Sequence, residues 1–212
     1  IDLDNGPAWV VIDIAAMQLG ICLVPIPPFF SPAQVRHAVT QSGAELLISN
    51  DMTGARARVG ELLDTTVDSF EISGQRLFAA AIRAVPNKPL PDLPPEVCKI
   101  TFTSGTTGEP KGVLLSWASM QAVVQSLVDA TALQPNDRHL CLMPFAVLLE
   151  NIGGLYAPLW AGATIAILPV ADTGLTGASG LDAKRMVDAL VRTAATTVIL
   201  TPQSLQGLID VV

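Results

Sequence analysis

Aromatic side chains are scarce in this chain, 5% of 212 positions, while half of the residues are apolar and most of those are Ala, Val, Leu and Ile. That balance argues against a small sandwich and for an α/β fold with buried strands, a parallel sheet being the first expectation. Charge is also sparse, at 15% of residues, and a chain of this length with so few charges can bury a substantial core. The twelve Lys and Arg residues are scattered and the net charge is −7, which excludes the basic face that a nucleic-acid partner requires. Cys22, Cys98 and Cys141 form no Cys-x-x-Cys pair and are odd in number. A disulfide framework or zinc knuckle is therefore not expected, and a reducing, cytoplasmic setting is. The two histidines, His37 and His139, stand apart from any ligand set in the sequence, so no metal site is expected and each reads as a surface or satisfied core residue.

The apolar stretch 9–30 is long enough to raise a membrane span, but Asp13, Gln18 and Gly20 interrupt it and Pro25, Pro27 and Pro28 end it. It reads instead as a helix over 8–19 followed by a strand over 22–25. No signal peptide is visible, and the chain opens without Met inside an element, which reads as a fragment. Ser31-Pro32 caps and starts a helix that Gly43 stops. A strand follows over 46–49, and the helix–strand rhythm predicts parallel crossovers. A helix is predicted over 74–84. The five prolines of 86–95 predict an extended connector between a first lobe, 1–85, and a second, 96–212. Beyond it, strands are predicted over 97–102, 113–117, 138–143, 164–168 and 196–200. Helices are predicted over 119–131, 152–159 and 182–192 and from Pro202 onward.

Between the first two of those strands lies Thr103-Ser104-Gly105-Thr106-Thr107-Gly108-Glu109-Pro110-Lys111-Gly112. Three glycines free the backbone to aim N–H groups at one point, the hydroxyls add donors, and Lys111 supplies positive charge; together these are the parts of a phosphate cradle. A Walker loop is excluded, because Lys111 follows Pro110 rather than Gly, precedes Gly112 rather than a hydroxyl, and leads into a strand. A generic kinase or nucleotidase is disfavoured on the same grounds, and a flexible linker does not call for Pro-Lys-Gly at its end.

The decapeptide is similar to the phosphate loop of the adenylate-forming superfamily of acyl-CoA synthetases, peptide-synthetase adenylation domains and luciferases. Stretches 7–10, 20–25, 31–48, 143–154 and 161–164 also resemble that superfamily, most of all its long-chain fatty acyl-CoA synthetases. The resemblance implies an α/β fold of layered sheets flanked by helices, part of a large N-terminal domain, and a two-step reaction. A carboxylate attacks the α-phosphorus of ATP, and a thiol then displaces AMP. It implies that Ser104, Thr106, Thr107 and the backbone of Gly105 and Gly108 hold phosphates, with Thr103 and Gly112 at the loop ends. Lys111 and Thr106 then serve catalysis, and Mg²⁺ shares the charge.

The resemblance also places Val147 at the acyl end, where a histidine or aromatic is usual, and marks Glu150 as a site acid; its alternative is a helix-start or surface acid. The expected small molecules are a fatty or other carboxylic acid, ATP and CoA, with a carrier protein as the alternative acceptor and a non-catalytic nucleotide-binding homologue as a further alternative. The superfamily's adenine-contacting Tyr-Gly-x-Thr-Glu segment, its ribose-binding aspartate and its late catalytic lysine do not occur in these residues. The fragment alone is therefore expected to be inactive. Uncovered apolar faces predict self-association, and peripheral membrane contact stays open.

Overall fold

The structure is a computed structural model that describes residues 1–83, 92–103, 109–176 and 180–211. The chain divides into two compact units, one of Ile1–Leu3 with Pro7–Trp117 and one of Asp4–Gly6 with Ala118–Val212. Where the sequence suggested lobes separated at 86–95, strand β4 (Val97–Thr103) is bonded into the first unit. Its Cys98 carbonyl accepts from Leu23 N–H, and its Ile100 N–H donates to Leu23 O, both at 2.9 Å. Most of the connector, 84–91, lies outside the described residues.

In the first unit, α1 (Pro7–Gln18) buries Ala8, Trp9, Ile12, Asp13 and Ala16, which share one face at helical spacing. The sequence treated Asp13 as an interruption of an apolar run; it sits on the buried face. Helix α2 (Pro32–Ser42) has a full capping box, with Ser31 Oγ accepting from Gln34 N–H and Gln34 Oε1 accepting from Ser31 N–H, and it ends on Gly43 at φ 66°. Ser31→Ala is expected to cost about 1 kcal/mol in a denaturant titration, the usual worth of such a cap.

Strand β1 (Leu46–Ser49), helix α3 (Met52–Val59), strand β2 (Asp68–Ile72) and strand β3 (Gln75–Ala81) follow. The helix predicted over 74–84 is therefore a strand instead. Ser73 and Gly74 both take left-handed backbone conformations, φ 52° and 76°, closing a two-residue hairpin in which Ile72 faces Gln75. Strand β3 then lies between β1 and β2, antiparallel to both, and that pairing overrides the helix preference of its alanines.

The parallel relation expected around 22–49 survives only in short contacts. Leu23 pairs parallel with Lys99 and Asp2 with Ser49, and Ile1 bonds to Val24 and Ile26. Residues 22–26 are thus extended and bonded on both edges, as the strand reading of 22–25 expected. Strand β5 (Lys111–Ser116) pairs antiparallel with β4. Val24, Ile26, Phe30, Val35, Leu47 and Ile100 belong to the apolar core of this unit.

The second unit opens with helix α4 (Trp117–Thr131), whose first residue belongs to the first unit, and strand β6 (Arg138–Cys141). The helix expected over 152–159 is a π-helix, Glu150–Tyr156, followed by α5 (Ala157–Ala161). Strand β7 (Thr164–Ile167), the short pair β8 (Leu175–Thr176) and β9 (Gly180–Leu181), helix α6 (Ala183–Thr193), strand β10 (Thr197–Val198) and helix α7 (Pro202–Ile209) complete the unit. Here the parallel expectation holds: β10, β6 and β7 form a parallel sheet, with Leu140 and Leu142 of the β6 segment packed on Met186 and Ala189 of α6.

Candidate functional site

The β4–β5 hairpin forms the stem of the decapeptide 103–112. Thr103 faces Lys111 in register and Phe102 faces Gly112, so the two strands deliver the ends of the decapeptide side by side. Thr103 Oγ1 donates to Lys111 O at 3.5 Å across that neck. Gly112 is bare for a packing reason: a Cβ there would come within 3.0 Å of Ile100 Cγ2 and 3.2 Å of the Phe102 ring. Ser104, Gly105, Thr106, Thr107 and Gly108 lie outside the described residues.

Lys111 is exposed at the neck, and Glu109 is exposed beside it, while Pro110 is buried. His37 of α2, which the sequence set aside as a bland residue, lies against this stem. Its Nε2 is 3.0 Å from Pro110 O and its Nδ1 3.9 Å from Glu109 Oε2. A carbonyl can only accept, so the bond to Pro110 exists with the proton on Nε2. Helix α2 thereby holds the loop's exit strand.

Val147 and Glu150 belong to the second unit. Val147 is half-buried in a turn where its N–H donates to Pro144 O at 2.8 Å and its carbonyl accepts from Asn151 N–H at 3.0 Å. Glu150 is fully buried, which rules out the surface acid left open by the sequence and leaves it at the first position of the π-helix. Its Oε2 accepts from Met143 N–H at 3.0 Å.

Asn5 fixes the same turn from the other side. Its Nδ2 donates to Met143 O and its Oδ1 accepts from Phe145 N–H, both at 2.8 Å. Sequence reasoning missed Asn5 because its partners are 138 and 140 positions away.

Residues of β6 reach the Glu150 carboxylate. His139 and Cys141 alternate with Leu140 and so share the face opposite the apolar core. His139 Nε2 lies 3.6 Å from Glu150 Oε1, and its Nδ1 lies 3.1 Å from Thr197 Oγ1 on β10. Cys141 Sγ donates to Gly154 O at 3.4 Å. Burial first, and the Glu150 charge second, push the Cys141 thiol far above its ordinary range, so it is protonated at neutral pH.

With this geometry in place, the family profile described as AMP-binding enzyme matches residues 1–212, the whole chain. The chain belongs to the AMP-binding enzyme family. It is 30% identical over 165 residues to a CoA ligase of Gibberella moniliformis, covering 77% of this chain and 27% of that protein. It is 28% identical over 171 residues to the mitochondrial malonate–CoA ligase of Homo sapiens, covering 78% and 29%. A plipastatin synthase of Bacillus subtilis matches at 29% over 201 residues, 94% of this chain and 5% of that one.

Among solved structures, a malonyl-CoA ligase in ternary complex with methylmalonyl-CoA and AMP superposes with a TM-score of 0.69 at 19% identity, covering 99% of this chain and 41% of that one. The N-terminal subdomain of NpsA from Klebsiella oxytoca gives 0.63 at 20%, covering 94% and 47%. The fold of an adenylate-forming N-terminal domain, α/β with mixed sheets, is therefore that of this chain, which spans less than a third of the two CoA ligases. Among the described residues no helix is long and apolar enough to cross a membrane.

Proposed function

We propose that this AMP-binding chain serves an acid–thiol ligase, in which Thr103 to Gly112 grip the phosphates of ATP while a carboxylic acid, fatty or otherwise apolar, attacks the α-phosphorus. The observation that carries this reading is the hairpin neck. Lys111 is held in register opposite Thr103 and exposed, at the end of a decapeptide whose sequence supplies three glycines and four hydroxyls. All groups that meet in the first step are anionic, so catalysis there is positioning and charge neutralisation. Lys111 supplies the neutralising cation beside the departing pyrophosphate, Thr106 orients the phosphates, and Ser104, Gly105, Thr107 and Gly108 donate to them. Val147 lines the acyl end, and Glu150 sets the turn that presents it rather than touching substrate.

Mg²⁺ typically binds through substrate phosphates and one or two carboxylates. The sequence of the decapeptide offers the single carboxylate of Glu109 beside four hydroxyls, which suits an ion carried largely by the triphosphate. When bound, the ion would supply further positive charge at the phosphates.

Transfer of the acyl group to CoA is the leading second step, supported by the CoA ligases among the relatives. The match to a peptide synthase along 94% of this chain supports a carrier-protein thiol as the alternative acceptor. The aliphatic Val147 is what favours a non-catalytic homologue instead. In the full-length protein carrying this chain, ATP–pyrophosphate exchange with apolar acids is expected. Lys111→Ala should lower it on the order of 10²-fold, the usual loss when one group facing developing charge is removed.

Silence across a broad panel of acids would hand the case to the non-catalytic reading, and free CoA against a carrier thiol separates the two acceptors. The 212 residues alone are proposed to bind ATP weakly, lacking the adenine- and ribose-contacting segments. A micromolar Kd abolished by Lys111→Ala would overturn that.

A further inference from the structure

We propose that His139, Cys141 and Glu150 form a buried three-residue site for a borderline-soft divalent cation, zinc above all. The three donor atoms, Nε2, Sγ and a carboxylate oxygen, all lie within 4.8 Å of one another. The side chains are almost wholly buried, and His139 Nε2 and Glu150 Oε1 face each other without a hydrogen-bond partner among the described residues. At 3.6 Å the two make an ion-pair contact but no hydrogen bond, and a shared cation would satisfy both.

The spacing suits it. Zinc bonds of about 2.0–2.2 Å to nitrogen and oxygen set a tetrahedral edge of roughly 3.3 Å, and the His139–Glu150 separation is 3.6 Å. The Thr197 hydroxyl at Nδ1 holds the ring with Nε2 toward the cluster, the outer contact that histidine ligands ordinarily have. Gly154 leaves the room, since a Cβ there would overlap the Glu150 carboxylate and come within 3.1 Å of Nε2.

On binding, the Cys141 proton leaves to solvent, and a thiolate, a carboxylate and a neutral imidazole balance the dication, so no net charge is buried. The donor set of S, N and O also explains the choice of ion, because Mg²⁺ and Ca²⁺ require oxygen ligands. The fourth position falls to a water or to the Gly154 carbonyl beside Sγ. Such an ion would tie β6 to the π-helix behind the Met143–Val147 turn; the inference stands independently of the ligase reading.

The test is made on the wild-type protein, refolded with Zn²⁺ or Co²⁺ and dialysed. Stoichiometric metal by elemental mass spectrometry is expected, and the Co²⁺ form should show tetrahedral visible bands with a thiolate-to-metal charge-transfer band. Free zinc a hundredfold above its Kd should raise Tm by roughly 5–10 °C. Cys141→Ser should abolish the charge-transfer band while circular dichroism reports an intact fold. Folded wild type that retains neither metal overturns the proposal, leaving a His139–Glu150 ion pair. So does a charge-transfer band that persists in Cys141→Ser. Should Cys141→Ser not fold, the metal content and Co²⁺ spectrum of the wild type decide alone.

Discussion

Lys99→Ala is expected to destabilise the first unit by roughly 3–5 kcal/mol, read as a drop in the denaturant midpoint. Lys99 stands in the middle of β4 with 2% of its side chain exposed, and its Nζ lies 2.6 Å from Oδ1 of Asp13, which is 1% exposed on the buried face of α1. Its ammonium also lies 5.6 Å from the centroid of the Trp9 ring. Truncating the lysine strands a carboxylate where water cannot reach it, and that penalty, more than the lost attraction, sets the size of the effect. Replacing both partners, Lys99→Met with Asp13→Leu, should recover most of the loss, because the pair's own desolvation is then removed as well. A Lys99→Ala protein within about 1 kcal/mol of wild type would show that the pair is hydrated in solution.

The same pair makes stability depend on pH. Burial holds the Lys99 pKa below its ordinary 10.5, and Asp13 opposes that shift without cancelling it. The unfolded chain therefore binds more protons than the native one between the lowered pKa and 10.5, and stability rises with pH across that window. Asp13→Asn removes the group that holds the proton on, so the window should widen toward neutral pH. In Lys99→Met this contribution to the slope should vanish.

How far the sequence discloses the molecule follows the range of the forces involved. Local chemistry was legible: Ser31-Pro32 and Gly43 bound α2, and the Pro110-Lys111-Gly112 ending separated the loop from a Walker loop and led into β5 as expected. The Ser73-Gly74 turn was also local, but the Ala-rich run after it was weighed as helix because the two neighbouring strands that make β3 a strand are a tertiary fact. Asp13 and Lys99 are 86 positions apart, and only folding shows that an apparent break in an apolar run is half of an ion pair. His139 looked isolated for the same reason, since Glu150 reaches it through a π-helix, whose extra residue per hydrogen-bonded turn shifts facing positions away from the ordinary helical spacing. Aligned apolar faces and caps can be read from periodicity; buried polar partners cannot.

That π-helix supports the second large expectation: Gly154→Ala should destabilise the second unit by roughly 3–5 kcal/mol, the sum of two penalties. The added methyl overlaps the Glu150 carboxylate, and it cannot swing away because Leu155 and Tyr156, the next two residues, are buried. Overpacking of this kind costs about 1–3 kcal/mol. Expelling the carboxylate also takes the acceptor from Met143 N–H, a bond to a charged group worth about 1.5–3 kcal/mol. The two penalties share a cause, so the substitutions must couple. Glu150→Ala removes the group with which the methyl collides, and Gly154→Ala in that background should cost less than in wild type by about 1 kcal/mol or more. Strict additivity of the two would mean that the helix absorbs the methyl by shifting its own backbone. The Met143–Val147 turn would then keep both of its supports, Glu150 on one side and Asn5 on the other.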